Sequence, residues 1–199
     1  RGFSYHEDAP LDMRMDRSRG ISAAEYLNSV SEKDFAKILY EYADEKWASR
    51  IASTLIKRRE IKPLKTTFDL VEVVDAAIPK AVRMKDSAHP ARRTFQAVRI
   101  EVNQELAPLA ETLERMAKRL KTGGRLLVIS FHSIEDRLVK SCFQRLNNPC
   151  ICDRRAPVCV CGRKQLVRII KGSPFSAGEN ELKANSRAHS AKLRVVERV

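Results

Sequence analysis

Glycine is scarce in this chain, with seven in 199 residues. None of them opens a strand, Gly-rich loop and helix in succession. Such a loop needs glycine for φ > 0 and for close approach of the backbone to a nucleotide, so a cofactor cradle of the doubly wound type is not expected in this stretch. Long apolar runs are also missing. None approaches the ~20 residues that span a bilayer, and no secretory signal is visible, so a membrane span is not expected. Acidic residues are in deficit, giving a formal charge of +13. The excess is local. Residues 137–199 carry fourteen Lys/Arg against four Asp/Glu, and residues 80–99 carry six against one. Clustered positive charge is the footprint of a polyanion-binding surface. A membrane surface would meet it too, but no segment reads as a basic amphipathic anchor. The expectation is a cytoplasmic protein with a nucleic-acid partner.

The first half reads as helix. Residues 22–30 form a short one, and Ser31 with Asp34 resembles a capping box opening the next, whose apolar face is Phe35, Ile38, Leu39 and Tyr42. A third helix, 44–60, buries Trp47, Ile51 and Leu55 and ends in the basic run 57–60, read as a solvated helix end. Thr67 is expected to cap a fourth, which Pro79 ends. Helical patterns continue from Pro90 to Leu120, with a break near Pro108. At Gly123-Gly124 the texture changes. Arg125–Ser130 suits a buried parallel strand, and Ser133 with Asp136 repeats the capping pattern for a helix over 134–146. Phe131, His132 and Ser133 then occupy the strand's C-terminal end, where α/β enzymes place ligands. Residues 165–170 and 191–198 are further strand candidates that would complete a mixed sheet.

Residues 88–103 are the most informative stretch. Phe95, Val98 and Val102 recur at helical spacing and give a buried stripe. Arg92, Arg93, Gln96, Arg99 and Asn103 lie largely on other faces. Guanidinium forks beside amides suit phosphate and base-edge recognition, although a solvated amphipathic helix shows the same composition. In the opening segment, Asp12, Arg14 and Asp16 read either as mutual ion pairs fixing a loop or as substrate contacts.

Cys150, Cys152, Cys159 and Cys161 form two Cys-x-Cys pairs. Clustered thiolates with basic neighbours (Arg154, Arg155, Arg163, Lys164) and Pro157 between the pairs suit a structural zinc, while a disulfide pair and four free thiols remain open. Cys142 reads as core.

Four blocks carry a resemblance: RGFSYHEDAPLDMRMD (1–16), HPARRTFQAVRIEVNQEL (89–106), GGRLLVISFHSIEDRLVK (123–140) and NSRAHSAKLR (185–194). In this order they resemble the bacterial ribosomal RNA methyltransferases of the MraW/RsmH family, which methylate N4 of a cytidine in small-subunit rRNA. The resemblance implies an α/β fold, the C-terminal part of a Rossmann-like methyltransferase sheet domain carrying an all-helical insert. It divides the chain into an opening segment (1–21), a helical insert (22–87) and the C-terminal part of the methyltransferase domain (88–199). It implies S-adenosylmethionine as cofactor, bound mostly upstream of Arg1, with the cofactor half outside this chain and the chain alone expected to be inactive. It implies the small-subunit rRNA or the 30S particle as partner and leaves a homodimer open. Phe131, His132 and Ser133 would wall the target pocket. His89, Arg92, Arg93, Gln96, Arg99, Asn103, Asn185 and Arg187 would bind RNA. Ser186 stands where the family commonly has proline, and His189 where it has arginine. A non-catalytic, zinc-containing RNA-binding protein of ribosome assembly is the rival reading. A DNA-binding regulator is a weaker one, because no helix-turn-helix is recognisable.

Overall fold

The structure, a computed structural model, describes residues 2–84, 89–153 and 158–199. The chain forms two compact units, residues 1–105 and 106–199.

The first unit is helical: α1 (Ala23–Ser29), α2 (Glu32–Ala43), α3 (Ala48–Ile61), α4 (Thr67–Ala77), the single turn α5 (Lys80–Arg83) and α6 (Ala91–Asn103). Apolar residues at helical spacing account for its core. Phe35, Leu39, Ile51, Leu55, Leu70, Val74 and Val98 have no exposed surface. Ser22 closes a capping box with Glu25 at the start of α1, and the Ser31 side chain accepts from the Asp34 N–H at α2, as expected. The cap of α4 is Thr66 rather than Thr67, because Thr66 lies three residues before Asp69 and completes the reciprocal pair of bonds. Thr67 serves another purpose. Its hydroxyl donates to the Glu7 carbonyl at 2.6 Å and accepts from the Ala9 N–H at 3.1 Å, tying down the opening segment. Trp47 is half-buried and precedes α3, since Asp44 ends α2 in the left-handed conformation. The run at 57–60 is not simply solvated. Arg59 donates to the Leu27 and Val30 carbonyls, satisfying the end of α1, and Arg58 lies 3.7 Å from Asp69.

The opening segment has almost no regular structure, yet it is anchored. Leu11 and Met13 are buried in the helical core. Gly2 has φ +75°, and a Cβ there would stand 2.4 Å from the Pro10 carbonyl oxygen, so this turn needs glycine. Asp12 and Arg14 form a two-pronged ion pair at 2.7 and 3.1 Å, while Asp16 accepts from Ser18. The mutual pairing of Asp12 with Arg14 is therefore the structural role of those charges. Arg14 pulls the Asp12 carboxyl down to about 2 through its side-chain hydrogen bond.

In the second unit α7 (Ala107–Arg119) and α8 (Ser133–Asn147) pack on a sheet of β1 (Arg125–Ser130), β2 (Val167–Ile169), β3 (Phe175–Ser176) and β4 (Lys192–Arg198); a short helix α9 (Glu179–Ala184) and a 3-10 turn (Ser186–Ser190) precede β4. Leu113, Ala117, Val139, Phe143, Leu146, Leu126, Val167 and Val196 form its core. The break between α6 and α7 comes at Gln104, which is left-handed, and Pro108 sits in the first turn of α7 where its missing N–H costs nothing.

Two strand expectations change. The sheet among the described residues is antiparallel throughout: β1 runs along one side of β4, and β2 and β3 pair with β4 as well. Nor is β1 buried on both faces. Leu126 is buried, but Leu127 and Ile129 are 58% and 59% exposed. An unbroken apolar run reads as doubly covered, yet here only alternate residues meet α8.

Candidate nucleic-acid interface

In the first unit, two sequence-distant segments meet at the start of α6. Tyr5 stacks on His89, with ring centroids 4.7 Å apart and planes 23° from parallel. His6 approaches the same imidazole edge-on at 5.7 Å, and Phe95 meets the edge of Tyr5 at 5.7 Å. His89 Nδ1 accepts from the Ala91 N–H at 3.2 Å, which fixes the ring at the helix start. Arg92 and Arg93 follow in the first turn. Both are exposed and neither has a carboxylate partner among the described residues. This arrangement offers aromatic faces on which a base can stack and two guanidinium forks for phosphates.

The rest of the expected RNA-binding set on α6 faces other parts of the protein. Gln96 donates to the Tyr42 carbonyl at 2.9 Å. Arg99 grips Glu105 with two bonds of 2.8 and 3.0 Å. Asn103 donates to the Met13 and Arg99 carbonyls, both at 2.8 Å, and accepts from the Met15 N–H at 2.7 Å. Those side chains hold the opening segment and neighbouring turns in place. Tyr5 and His6 escaped the sequence reading as site residues. Their only signal was membership of the first block.

The second unit gathers the remaining candidates at one end of its sheet. Ser130, the last residue of β1, pairs with Lys192, the first of β4. Residues 131–133 and the 3-10 turn at 186–190 therefore leave the sheet at the same end. His132, not Ser133, caps α8: its Nδ1 accepts from the Glu135 N–H at 3.3 Å. A ring nitrogen does what a hydroxyl oxygen was expected to do. His132 Nε2 lies 3.0 Å from Glu135 Oε1, without a well-aligned hydrogen bond. Glu135 also accepts from the Phe131 N–H at 3.1 Å. The adjacent His132 side chain and then the Phe131 N–H hold the Glu135 carboxyl below its ordinary range against the opposing effect of burial. Phe131 itself is 58% exposed, and Ser133 is exposed. Asn185 caps the 3-10 turn by accepting from the Arg187 N–H at 3.2 Å, and the Arg187 side chain is exposed.

Sequence reasoning also missed what Asp136 does. It is buried and reaches across to β4, where Arg194 holds it with bonds of 2.7 and 2.9 Å; Lys192 lies 3.6 Å away. The Arg194 guanidinium, by hydrogen bond and then by charge, keeps this carboxyl below its usual range. The third and fourth sequence blocks, joined by the β1–β4 pairing, are thus also tied by the ion pairs of Asp136 with Arg194 and Lys192.

Between α8 and β2, Cys150, Cys152, Cys159 and Cys161 bring their sulfur atoms within 4.8 Å of one another. Arg154, Arg155 and Pro157 lie outside the described residues. Backbone N–H groups of Ile151 and Arg163 donate to the Cys161 sulfur and draw that thiol down to about 6. Cys142 is buried against α7, its thiol pushed up by burial.

No described helix is long and apolar enough to cross a membrane. The Ribosomal RNA small subunit methyltransferase H of a Geobacter species is 51% identical over 199 residues, which are 100% of this chain and 64% of that protein. The proteins of the same name from Finegoldia magna and Symbiobacterium thermophilum are 49% and 51% identical, over 100% and 98% of this chain and 64% and 61% of their own lengths. The chain thus spans just under two thirds of these curated relatives. The profile of the MraW methylase family matches it from residue 1 to residue 199, and together with identities near one half along its length this establishes that the chain belongs to the MraW methylase family.

Proposed function

We propose that this chain is the RNA-gripping and pocket-wall portion of an S-adenosylmethionine-dependent methyltransferase that acts on N4 of a cytidine in small-subunit rRNA. The observation that carries the reading is the near 50% identity, along the whole chain, to proteins named Ribosomal RNA small subunit methyltransferase H. S-adenosylmethionine supplies an electrophilic methyl group on a sulfonium.

The exocyclic amine of cytosine is a weak nucleophile, its lone pair delocalised into the ring. Catalysis of its methylation therefore rests on alignment of a base taken out of its stack. In this reading Arg92 and Arg93 bind backbone phosphates beside the Tyr5–His89 stack, and Arg187 does the same from its exposed turn. Phe131 presents its exposed ring to the RNA at the end of β1. His132 and Glu135 hold the main chain that carries it. The partner is small-subunit rRNA, free or within the 30S particle, whose phosphates such exposed arginines fit. Arg93→Ala in the full-length protein should lower rRNA methylation several-fold and flatten its salt dependence, with S-adenosylmethionine affinity nearly unchanged. Equal loss of cofactor binding would refute the role given to this arginine.

A further inference from the structure

Among the described residues of the loop joining α8 to β2, the apolar side chains do not account for the way it converges. Its base is clamped: the Leu166 N–H donates to the Leu146 carbonyl at 3.0 Å, and Gln165 Nε2 donates to Asn147 Oδ1 at 3.1 Å. Beyond that clamp the large apolar side chains among the described residues are exposed. Ile151, Val158 and Val160 are 66%, 68% and 86% exposed. Here the centre of the loop is occupied by sulfur. Cys150–Cys159, Cys152–Cys159, Cys159–Cys161 and Cys161–Cys150 stand 3.6, 3.8, 3.5 and 3.9 Å apart.

Those separations fit one tetrahedral ion better than a disulfide or a cluster. A disulfide needs sulfurs about 2.0 Å apart. A tetrahedral zinc with bonds of about 2.3 Å sets its four thiolates about 3.8 Å from one another, the tetrahedron edge being 1.63 times the bond. In iron–sulfur clusters, thiolates on different irons are held apart by the bridging sulfides, so all four would not fall within 4.8 Å. The surroundings match a single ion. Gly162 adopts φ +63°, turning the chain directly after Cys161. Arg163 and Lys164 supply positive charge next to what would be a doubly negative centre.

We infer that Cys150, Cys152, Cys159 and Cys161 form a closed tetrathiolate site for one zinc ion, whose work is to hold the loop between α8 and β2. All four positions are filled by protein, so the ion has no open coordination site and takes no part in methyl transfer. Zinc displaces the thiol protons on binding, with no change in oxidation state.

The test is metal analysis by inductively coupled plasma mass spectrometry, with native mass spectrometry, on protein purified under reducing conditions without chelator. One zinc per chain is expected. Cobalt loaded in its place should give the strong visible absorption of a tetrahedral thiolate. Cys159→Ala should drop zinc to under about a tenth of an equivalent, while Cys142→Ala keeps it. Reduced protein that holds no zinc and leaves cobalt octahedral would overturn the site. So would a mass four hydrogens short, marking two disulfides, or a brown iron–sulfur chromophore. The wild-type and cobalt readings decide the matter even if Cys159→Ala fails to fold, and neither depends on methyltransferase activity.

Discussion

Asp136→Ala should destabilise the second unit by about 3–5 kcal/mol, because it leaves the Arg194 guanidinium buried without its partner. The two side chains are each only 12% exposed, and their paired bonds of 2.7 and 2.9 Å join α8 to β4. Arg194→Ala should cost a similar amount, and the double variant much less than the sum, since both ends of one interaction are then gone. The pH dependence follows from sign. The folded Asp136 carboxyl is held below its unfolded value, so the contribution is present above the ordinary aspartate range and fades as pH falls through the lowered one. Chemical denaturation of the three variants, repeated in acid, checks both statements. A cost under about 1 kcal/mol for Asp136→Ala would place the pair among ordinary surface ion pairs.

Asn103→Ala should cost about 2 kcal/mol and loosen residues 1–20. Three hydrogen bonds disappear, two of them to the backbone at Met13 and Met15, ninety and eighty-eight positions away. Asn103→Asp is the sharper variant. A carboxylate can still accept from the Met15 N–H, but it cannot donate to the Met13 carbonyl and instead repels it, so it should be no better than alanine. Denaturant unfolding and limited proteolysis of the opening segment read the effect. An unchanged stability with weakened RNA binding would restore Asn103 to the RNA surface that its sequence context suggested.

That contrast shows where the sequence is legible. Apolar spacing placed the helices because burial of one face dictates a 3.6-residue period, and Phe35, Leu39, Phe95 and Val98 are all buried. It could not say where polar side chains on the other faces turn. Gln96, Arg99 and Asn103 share a helix with Arg92 and Arg93, but their partners are Tyr42, Glu105 and Met13; the turn after the helix brings Glu105 within reach, and the tertiary fold brings Tyr42 and Met13. Caps misread by one residue at Thr66 and His132 have local causes: consecutive threonines offer two registers, and imidazole is not among the usual capping groups. The run at 125–130 hides its half-exposed face because alternation is invisible when both kinds of position are apolar. The cysteines were visible as a group, and their spacing alone left zinc, disulfide and free thiols open. Separations near 3.7 Å are information that only coordinates carry.

The central claim is tested most directly by the nucleoside that the full-length protein modifies. Small ribosomal subunits from cells lacking the enzyme would be incubated with S-adenosylmethionine carrying a labelled methyl group, and the rRNA digested to nucleosides and separated. The account predicts label in N4-methylcytidine at a single position, reduced several-fold by Arg93→Ala. Label in another nucleoside, or RNA bound tightly with none transferred, would contradict it.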